Sequence, residues 1–286
     1  YVPGEQSSDP DRIKLNANEN PYPPAPGVEA VLRSYDPAAL CLYPDANARL
    51  LKASIARHYG VAPEQVFVGN GSDDVLALAF QSFFNSDKPI AFPDITYSFY
   101  PVWCRLFHIP FVTYPLTADF RMDPADYAAP NGGVVLPNPN APTSIGEDLP
   151  FVQALLEGNR DAVVIIDEAY ADFGGVSAVP LLADYPNLLV CGTFSKSRSL
   201  AGLRLGFAIG SAELIRVLEA VKNSYNSYTV DNLSLLCGAA AMDDEAYFAK
   251  TTAAVITTRE RVRRALEQMG FSVLPSRTNF LFATKD

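Results

Sequence analysis

Five consecutive apolar residues, 162–166, stop at the carboxylate of Asp167, and this run constrains the fold more than any other part of the sequence. All but the first of the five are β-branched, which favours a strand over a helix. A strand that is apolar on both faces is typical of a sheet covered on both sides. Other short apolar runs alternate with helical segments along the chain, so the sequence predicts an α/β fold.

The other predicted elements continue this alternation. Strands are predicted at 66–68, 89–92, 111–114, 134–136, 187–191 and 205–210, and another begins at 271–274. The best-defined helix covers 73–84. Its apolar spacing predicts a buried face formed by Val75, Leu76, Leu78, Ala79 and Phe83. The stretch 1–36, rich in proline and asparagine, is predicted to be an extended arm, and the chain from Ala239 onward is predicted to be helical.

Composition narrows the classes of function. The chain has 286 residues, enough for one sizeable core with a smaller second lobe. Its formal charge is −10, and its densest basic segment, 259–264, is interrupted by Glu260 and is interpreted as a solvated helix face, so nucleic-acid binding is not indicated. No apolar run reaches membrane-spanning length, no signal peptide is visible, and the four cysteines form no C-x-x-C motif. These features predict a cytoplasmic protein without a membrane partner.

Lys196 is the main candidate for chemistry. It follows the predicted strand 187–191, with the hydroxyls of Thr193 and Ser195 just before it and Arg204 eight residues after it. A lysine enclosed by a fold loses hydration, so its pKa falls and its neutral amine can condense with a carbonyl group. Nearby hydroxyls and a guanidinium can hold a phosphate. Together these features describe a lysine that carries pyridoxal phosphate as a Schiff base.

The segment 69–73 joins a predicted strand to a predicted helix. Its glycines allow a tight turn, and the free N–H groups at a helix start attract anions, so a cofactor phosphate could lie on the amides of Ser72 and Asp73. Taken alone, the segment favours an ordinary turn in which one of these two residues caps the helix. A dinucleotide site is disfavoured because the third glycine of G-x-G-x-x-G is missing.

Asp167 ends the apolar strand on the side where open α/β sheets bind ligands. A buried carboxylate needs a partner, and a protonated pyridine nitrogen would supply the opposite charge. The alternatives are a helix cap or a structural ion pair. Tyr170 can donate to the 3-hydroxyl oxygen of the cofactor, or it can be a core tyrosine with a satisfied hydroxyl.

Four segments, 14–22, 69–74, 167–170 and 192–204, occur together and in this order. They resemble fold-type I pyridoxal-phosphate enzymes, and most of all the histidinol-phosphate aminotransferases, along nearly the whole chain. The resemblance implies an α/β fold with a mostly parallel central sheet flanked by helices. It also implies an N-terminal arm at 1–36 that belongs to a small domain, a large cofactor-binding domain at 37–238, and the start of the C-terminal small domain at 239–286. On this basis the sequence is expected to stop inside that small domain.

The resemblance also implies roles for individual residues. Lys196, Asp167 and Tyr170 would be catalytic. The cofactor would in addition contact Ser72, Asp73, Tyr97, Asn140, Thr193, Ser195, Arg204 and Tyr43. Tyr97 corresponds to the aromatic residue that stacks on the pyridine ring, and Thr193, Ser195 and Arg204 complete the phosphate cup.

Three features of the implied site depend on the resemblance alone. The loop 138–144 has Ala141 and Ser144 where the family pattern has asparagine and glycine, so either Asn138 or Asn140 could contact the cofactor, with Asn140 preferred. Tyr43 would reach the phosphate from the neighbouring subunit, which implies a homodimer. The substrate would contact three residues of the arm, which are Tyr1, Asn16 and Tyr22.

The implied activity is a ping-pong transamination between L-histidinol phosphate and 2-oxoglutarate in histidine biosynthesis. Lys196 would move a proton between the substrate α-carbon and the cofactor, and Asp167 would keep the ring nitrogen protonated. Aromatic aminotransferases and threonine-phosphate decarboxylases share these motifs, and a catalytically inactive cofactor-binding protein is a further alternative. Neither histidine is placed at metal-ligand spacing, so no metal is predicted.

Overall fold

A computed structural model describes residues 4–5, 8–9, 11–128 and 130–285 of the chain. Within these ranges a seven-stranded sheet forms the centre of the molecule. Its strands are β1 (Val66–Gly69), β2 (Ile90–Pro93), β3 (Phe111–Tyr114), β4 (Val134–Pro137), β5 (Val164–Asp167), β6 (Leu188–Thr193) and β7 (Gly206–Gly210). A separate antiparallel pair is formed by β8 (Ser272–Val273) and β9 (Ala283–Thr284).

The α-helices alternate with these strands through most of the chain. They are α1 (Pro26–Ser34), α2 (Arg49–Tyr59), α3 (Gly71–Phe83), α4 (Tyr100–Phe107), α5 (Leu149–Glu157), α6 (Ala212–Tyr225), α7 (Asn232–Asp243) and α8 (Glu245–Gln268). Local chemistry sets several of the boundaries. The side chains of Asp148, Ser211 and Asp231 accept backbone N–H groups at the starts of α5, α6 and α7. Gly60, in the left-handed conformation, ends α2.

The strand order is β1-β7-β6-β5-β4-β2-β3, so β5 lies in the middle of the sheet. All neighbouring strands are parallel except β7, which is antiparallel to both β1 and β6. The carboxyl ends of β4, β5 and β6 therefore lie at one edge, where Asp167 is level with Pro137 and Cys191. Because β7 runs in the opposite direction, its first residue, Gly206, lies at this same edge beside Thr193.

The sheet is covered on both faces, as the apolar run 162–166 predicts. Val164 and Ile166 are fully buried in one core cluster, with residues of α2, α5 and α7, and Ile165 is fully buried in the other, with residues of α3, α4 and α6. Each such side chain contributes roughly 1.5–3 kcal/mol through its removal from water. The central strands are therefore a rigid support for groups at their ends.

Two features of α3 differ from its predicted pattern. The helix begins at Gly71 rather than at residue 73, and its buried face includes the fully buried Phe80, whereas Phe83 is partly buried. Phe80 lies four residues after Leu76 and therefore on the same face of the helix. The apolar spacing alone did not distinguish this face from the neighbouring one that carries Phe83.

The prediction of an extended arm is wrong for Pro26–Ser34, which is helix α1. Pro26 occupies the first turn, where its missing N–H costs no hydrogen bond, and Val28 is buried. The helix packs on α7, which supplies the stability that nine residues lack in isolation. The second correction is at the other end of the chain, where helical structure begins at Asn232, well before Ala239.

Gly206 generates a testable prediction about stability. A Cβ atom on this residue would lie 2.3 Å from the backbone of Gly71 and Ser72, so a side chain would push β7 away from the start of α3. We expect Gly206→Ala to lower the unfolding free energy by about 1–3 kcal/mol, as overpacking does, in urea unfolding. Gly202→Ala is the control, because nothing lies within 4 Å of its Cβ position. Equal destabilisation by the two changes would contradict the close approach.

Candidate active site

A cavity opens at the edge of the sheet where β4, β5 and β6 end. Its wall is built mainly from residues that the sequence motifs single out: Ser72, Asp73, Tyr97, Asp167, Tyr170, Thr193, Ser195, Lys196 and Arg204. Pro137, Pro139, Ala141 and Ala169 complete the wall. Folding thus brings together groups that come from five separate segments of the chain.

Asp167 lies at the base of this cavity and is 5% exposed. One carboxylate oxygen accepts the hydroxyl of Tyr100 at 3.0 Å, and the other accepts the N–H of Ala169 at 3.2 Å. Burial raises the pKa of Asp167 to about 6, although both hydrogen bonds act to lower it. Tyr100 is fully buried in α4 and was missed by the sequence analysis, because nothing in its neighbourhood signals a contact with Asp167.

Lys196 approaches the cavity from the loop that follows β6. Burial is the main cause that lowers the pKa of its amine, and the nearby carboxylates of Glu19 and Asp73 act in the opposite direction. The Nζ atom donates to the carbonyl oxygen of Ala17 at 2.8 Å and lies 5.6 Å from the ring centre of Tyr170. The amine is thus confined between the N-terminal arm and the wall of the cavity.

Hydroxyls, amides and a guanidinium meet on one side of the cavity. Ser72 and Asp73 stand in the first turn of α3, where backbone N–H groups have no partner within the helix. The Arg204 guanidinium reaches over Gly71, and a Cβ on that glycine would lie 2.7 Å from Nη2 of Arg204. Gly71 also has a φ of +84°, which a side chain would strain. The loop therefore requires glycine both for its backbone and for the arginine.

Asp73 pairs with two other residues of the wall. Its carboxylate accepts the hydroxyl of Tyr97 at 2.8 Å and lies 3.3 Å from Nη2 of Arg204. The Asp73 and Arg204 side chains are 40% and 47% exposed, so their ion pair contributes little to stability and the arginine can exchange it for a stronger anion.

The two candidate asparagines of the loop 138–144 lie behind the wall rather than in it. The side-chain amide of Asn138 donates to the carbonyl oxygen of Glu147 and accepts the backbone N–H of the same residue. Asn140 donates to the carbonyl oxygen of Ile95 and to the hydroxyl of Thr143 at 3.0 and 3.1 Å, and its own Oδ1 is buried without a hydrogen-bond partner. The contact of Asn140 with a cofactor stays a prediction.

The N-terminal arm covers the site through residues that the sequence analysis did not select. Asn18 donates to the hydroxyl of Tyr170 at 3.2 Å, and Asn20 donates to the carbonyl oxygens of Lys196 and Ser197 at 3.0 and 3.3 Å. Both asparagines belong to the segment 14–22, so the motif indicated the correct region but not the contacting side chains.

The other predicted residues lie apart from the cavity wall. Asn16 is exposed and donates to the carbonyl oxygen of Glu5 at 2.8 Å, and the side chain of Tyr22 is also exposed. Tyr43 is 81% exposed and stacks on Tyr228 with ring centres 4.5 Å apart. The predicted substrate contact at Tyr1 lies outside the described residues.

In the part of the chain that the structure describes, no group of three His, Cys, Asp or Glu side chains is placed to hold a metal ion. Among the same residues, no helix combines the length and low polarity that crossing a membrane requires.

Comparison with known proteins shows to which family this chain belongs. A family model for class I and II aminotransferases matches residues 10–285. The histidinol-phosphate aminotransferase of Chromohalobacter salexigens is 57% identical over 282 residues, which cover 99% of this chain and 80% of that protein. The chain belongs to the histidinol-phosphate aminotransferases, within the class I and II aminotransferases.

Further relatives agree with this assignment. Histidinol-phosphate aminotransferase 2 of Dechloromonas aromatica is 54% identical over 286 residues, again covering 99% of this chain and 80% of that protein. The crystal structure of histidinol-phosphate aminotransferase from Sinorhizobium meliloti in complex with pyridoxal-5'-phosphate matches with a TM-score of 0.83 at 26% identity, over 93% of this chain and 74% of that one. Membership of this aminotransferase family confirms the resemblance seen in the motifs and the fold-type I α/β architecture that it implied.

Asp167 generates a prediction about pH. Its folded-state pKa of about 6 exceeds the ordinary 3.8, so ionisation of this carboxyl group opposes folding. The cost is small near pH 4, grows as the pH rises and is complete above about pH 6. We expect Asp167→Asn to remove it, so that in the cofactor-free protein the gain in unfolding free energy is about 2 kcal/mol larger at about pH 7.5 than at about pH 4.5.

Urea unfolding of the wild type and the variant at both pH values measures this difference. The exposed Asp161→Asn is the matched control, since it makes the same chemical change outside the core. A gain from Asp167→Asn that is equal at the two pH values would contradict the inferred cost of burying the carboxylate.

Proposed function

We propose that this protein transfers the amino group of L-histidinol phosphate to 2-oxoglutarate in histidine biosynthesis, with pyridoxal phosphate bound at Lys196. The observation that carries the proposal is the meeting, in one cavity, of an amine with a lowered pKa, a buried carboxylate, and a cluster of hydroxyls with a guanidinium. Relatives above 50% identity are named histidinol-phosphate aminotransferases, which favours this reaction over those of the aromatic aminotransferases and threonine-phosphate decarboxylases and over an inactive binding protein.

The residues present fit the phosphate of the cofactor. Ser72, Thr193 and Ser195 would offer hydroxyls, and the first turn of α3 would offer backbone N–H groups. Arg204 would add a permanently charged, two-pronged donor in the space that Gly71 leaves open.

The residues also fit the aromatic ring. Asp167 would hold the protonated ring nitrogen, because this buried carboxylate pairs with no cationic side chain among the described residues and its pKa is raised by burial. Tyr97 would stack on the ring, and the hydroxyl of Tyr170 would donate to the 3-oxygen. Asn140 stays a proposed contact with that oxygen, since its amide donates to the carbonyl oxygen of Ile95 and to the hydroxyl of Thr143.

When bound, pyridoxal phosphate supplies an electron sink for the negative charge that develops at the substrate α-carbon. Lys196 would be the base that removes the proton from that carbon. In the second half of the amino transfer it would return a proton to the corresponding carbon of the product. Burial lowers the pKa of its amine, so a larger fraction is neutral and able to accept a proton near neutral pH. Asp167 would keep a positive charge at the ring nitrogen throughout.

Replacement of the lysine tests this chemistry. We expect Lys196→Ala to reduce glutamate formation from L-histidinol phosphate and 2-oxoglutarate by at least about 10³-fold, since both the covalent anchor and the base are lost. Borohydride reduction with pyridoxal phosphate, followed by peptide mass spectrometry, should place the adduct on Lys196 in the wild type. Lys88→Ala, at an exposed position, is the control. An adduct on another lysine, or near-normal turnover in Lys196→Ala, would reject the proposal.

We also propose that two copies of the chain form a homodimer in which Tyr43 reaches the phosphate cup of the partner. Tyr43 belongs to a patch of exposed large side chains, which are Leu40, Leu42, Tyr43, Tyr225 and Tyr228. Such a patch favours a protein interface. It lies close to the cup, because the carbonyl oxygen of Thr229 accepts the amide of Asn70 at 3.3 Å, directly before Gly71.

Mixed dimers test the shared site. Equal amounts of Tyr43→Ala and Lys196→Ala chains, denatured and reassembled together, should regain about a quarter of wild-type activity, because half of the dimers would then hold one intact site. If Tyr43 serves its own subunit, the mixture should show no more than the residual activity of Tyr43→Ala. The unmixed variants, refolded in the same way, are the controls.

The remaining proposals concern the arm, the domains and the compartment. The arm residues Tyr1, Asn16 and Tyr22 are proposed to contact the substrate. The small domain is proposed to combine both chain ends, 1–36 and 239–286, around the large domain 37–238, and this is supported by the hydrogen bond at 2.9 Å from Asn279 to the carbonyl oxygen of Asn18. A cytoplasmic location is supported by the four cysteines, all of which are free thiols.

A further inference from the structure

Asn18 contacts a proposed catalytic side chain although it lies 152 residues away in the sequence. Its side-chain amide donates to the hydroxyl oxygen of Tyr170 at 3.2 Å. A phenolic hydroxyl has one proton to donate, and its oxygen accepts separately. When the oxygen of Tyr170 accepts from Asn18, its proton is left to point elsewhere, and Tyr170 lines the cavity.

The backbone around Asn18 is held at several points. Asn18 has a φ of +53°, in the left-handed region that asparagine tolerates better than most residues. Its carbonyl oxygen accepts from Asn279, and the preceding carbonyl, of Ala17, accepts from Lys196. An unfavourable backbone conformation persists where surrounding contacts impose it, and such positions gather at functional sites. The amide of Asn18 is therefore held in place against Tyr170.

We propose that Asn18 is a positioning residue that acts through Tyr170, by directing the Tyr170 proton towards the 3-oxygen of the cofactor. The inference rests on the proposed function, since it needs pyridoxal phosphate bound at Lys196. The proposed role of Asn18 is indirect and requires only its hydrogen bond to Tyr170.

Two physical effects of this hydrogen bond act in the same direction. An amide donor to the phenolic oxygen strengthens that hydroxyl as a donor, because successive hydrogen bonds polarise one another. It also lowers the pKa of Tyr170 against the opposing and larger effect of burial. A stronger donor favours the negatively charged 3-oxygen. The nitrogen that would join Lys196 to the cofactor is a neighbour of this oxygen. Once that nitrogen has lost its proton, the oxygen depends most on the hydrogen bond from Tyr170. The Asn18–Tyr170 contact should therefore lower the pH at which the nitrogen loses its proton.

The visible absorbance of the cofactor-loaded protein, titrated with pH, reports this midpoint without any turnover. We expect Tyr170→Phe to raise the midpoint by about one pH unit and Asn18→Gly to raise it by roughly 0.5–1 unit, the equivalent of one hydrogen bond. Glycine retains the left-handed backbone while deleting the amide. In Asn18→Asp the side chain offers only hydrogen-bond acceptors, so the Tyr170 proton should turn away from the cofactor. We expect this change to raise the midpoint at least as much as Asn18→Gly does.

Two comparisons separate positioning from a general structural effect. Asn18→Gly should add no shift in a Tyr170→Phe background, because a residue that acts through Tyr170 has nothing left to orient. Gln153→Glu, an exposed amide-to-carboxylate change on α5, should leave the midpoint unchanged. The midpoint should therefore respond to Asn18 only while the Tyr170 hydroxyl is present.

Two other kinds of result would each reject one of the proposals. A wild-type midpoint in Asn18→Gly, or an equal shift with and without the Tyr170 hydroxyl, would overturn the positioning role while leaving the proposed function intact. A wild-type protein that takes up no pyridoxal phosphate at Lys196 would instead refute the proposed function, and this inference with it.

Discussion

The burial of one carboxylate at the end of the central strand is the constraint on which the rest of the site depends. Asp167 is almost completely removed from water, and its two hydrogen bonds, from Tyr100 and Ala169, do not offset the loss of hydration, since its pKa remains raised to about 6. Such a group is stabilised by a cation that enters the cavity. The sheet, packed on both faces, holds the carboxylate rigidly where that cation would bind.

The reversed direction of β7 supplies the opposite chemistry at the same edge. A parallel strand in this place would begin at the far edge of the sheet and carry the preceding residues away from the site. Because β7 is antiparallel, Arg204 and Gly206 stand beside Thr193 and the start of α3. The close backbone approach between Gly206 and Ser72 keeps the anion-binding turn against the sheet. The reversed strand therefore places groups suited to an anion at the same edge of the sheet as the carboxylate that requires a cation.

Residues near both ends of the sequence cover this site. Asn18 and Asn20 connect the arm to Tyr170 and to the backbone of Lys196, and Asn279 holds the arm from the C-terminal side. These contacts are hydrogen bonds between side-chain amides and partly buried groups, each of which contributes about 1 kcal/mol. The arm is thus held over the amine of Lys196 by contacts that are individually weaker than the packing of core side chains.

Local sequence patterns were enough to predict most strands of the sheet and the chemical groups of the site. The β-branched run before Asp167, the glycines before Ser72 and the setting of Lys196 each carry a local signal, because strand propensity, turn geometry and burial follow from neighbouring residue types. Tertiary structure alone decided the direction of β7, the helix at Pro26–Ser34 that depends on α7, and the partners of Asp167 and Tyr170. The physical reason is that apolar periodicity records whether a residue is buried and not which distant residue it meets. Tyr100 and Asn18 lie 67 and 152 residues from the side chains they contact, a separation that only folding closes.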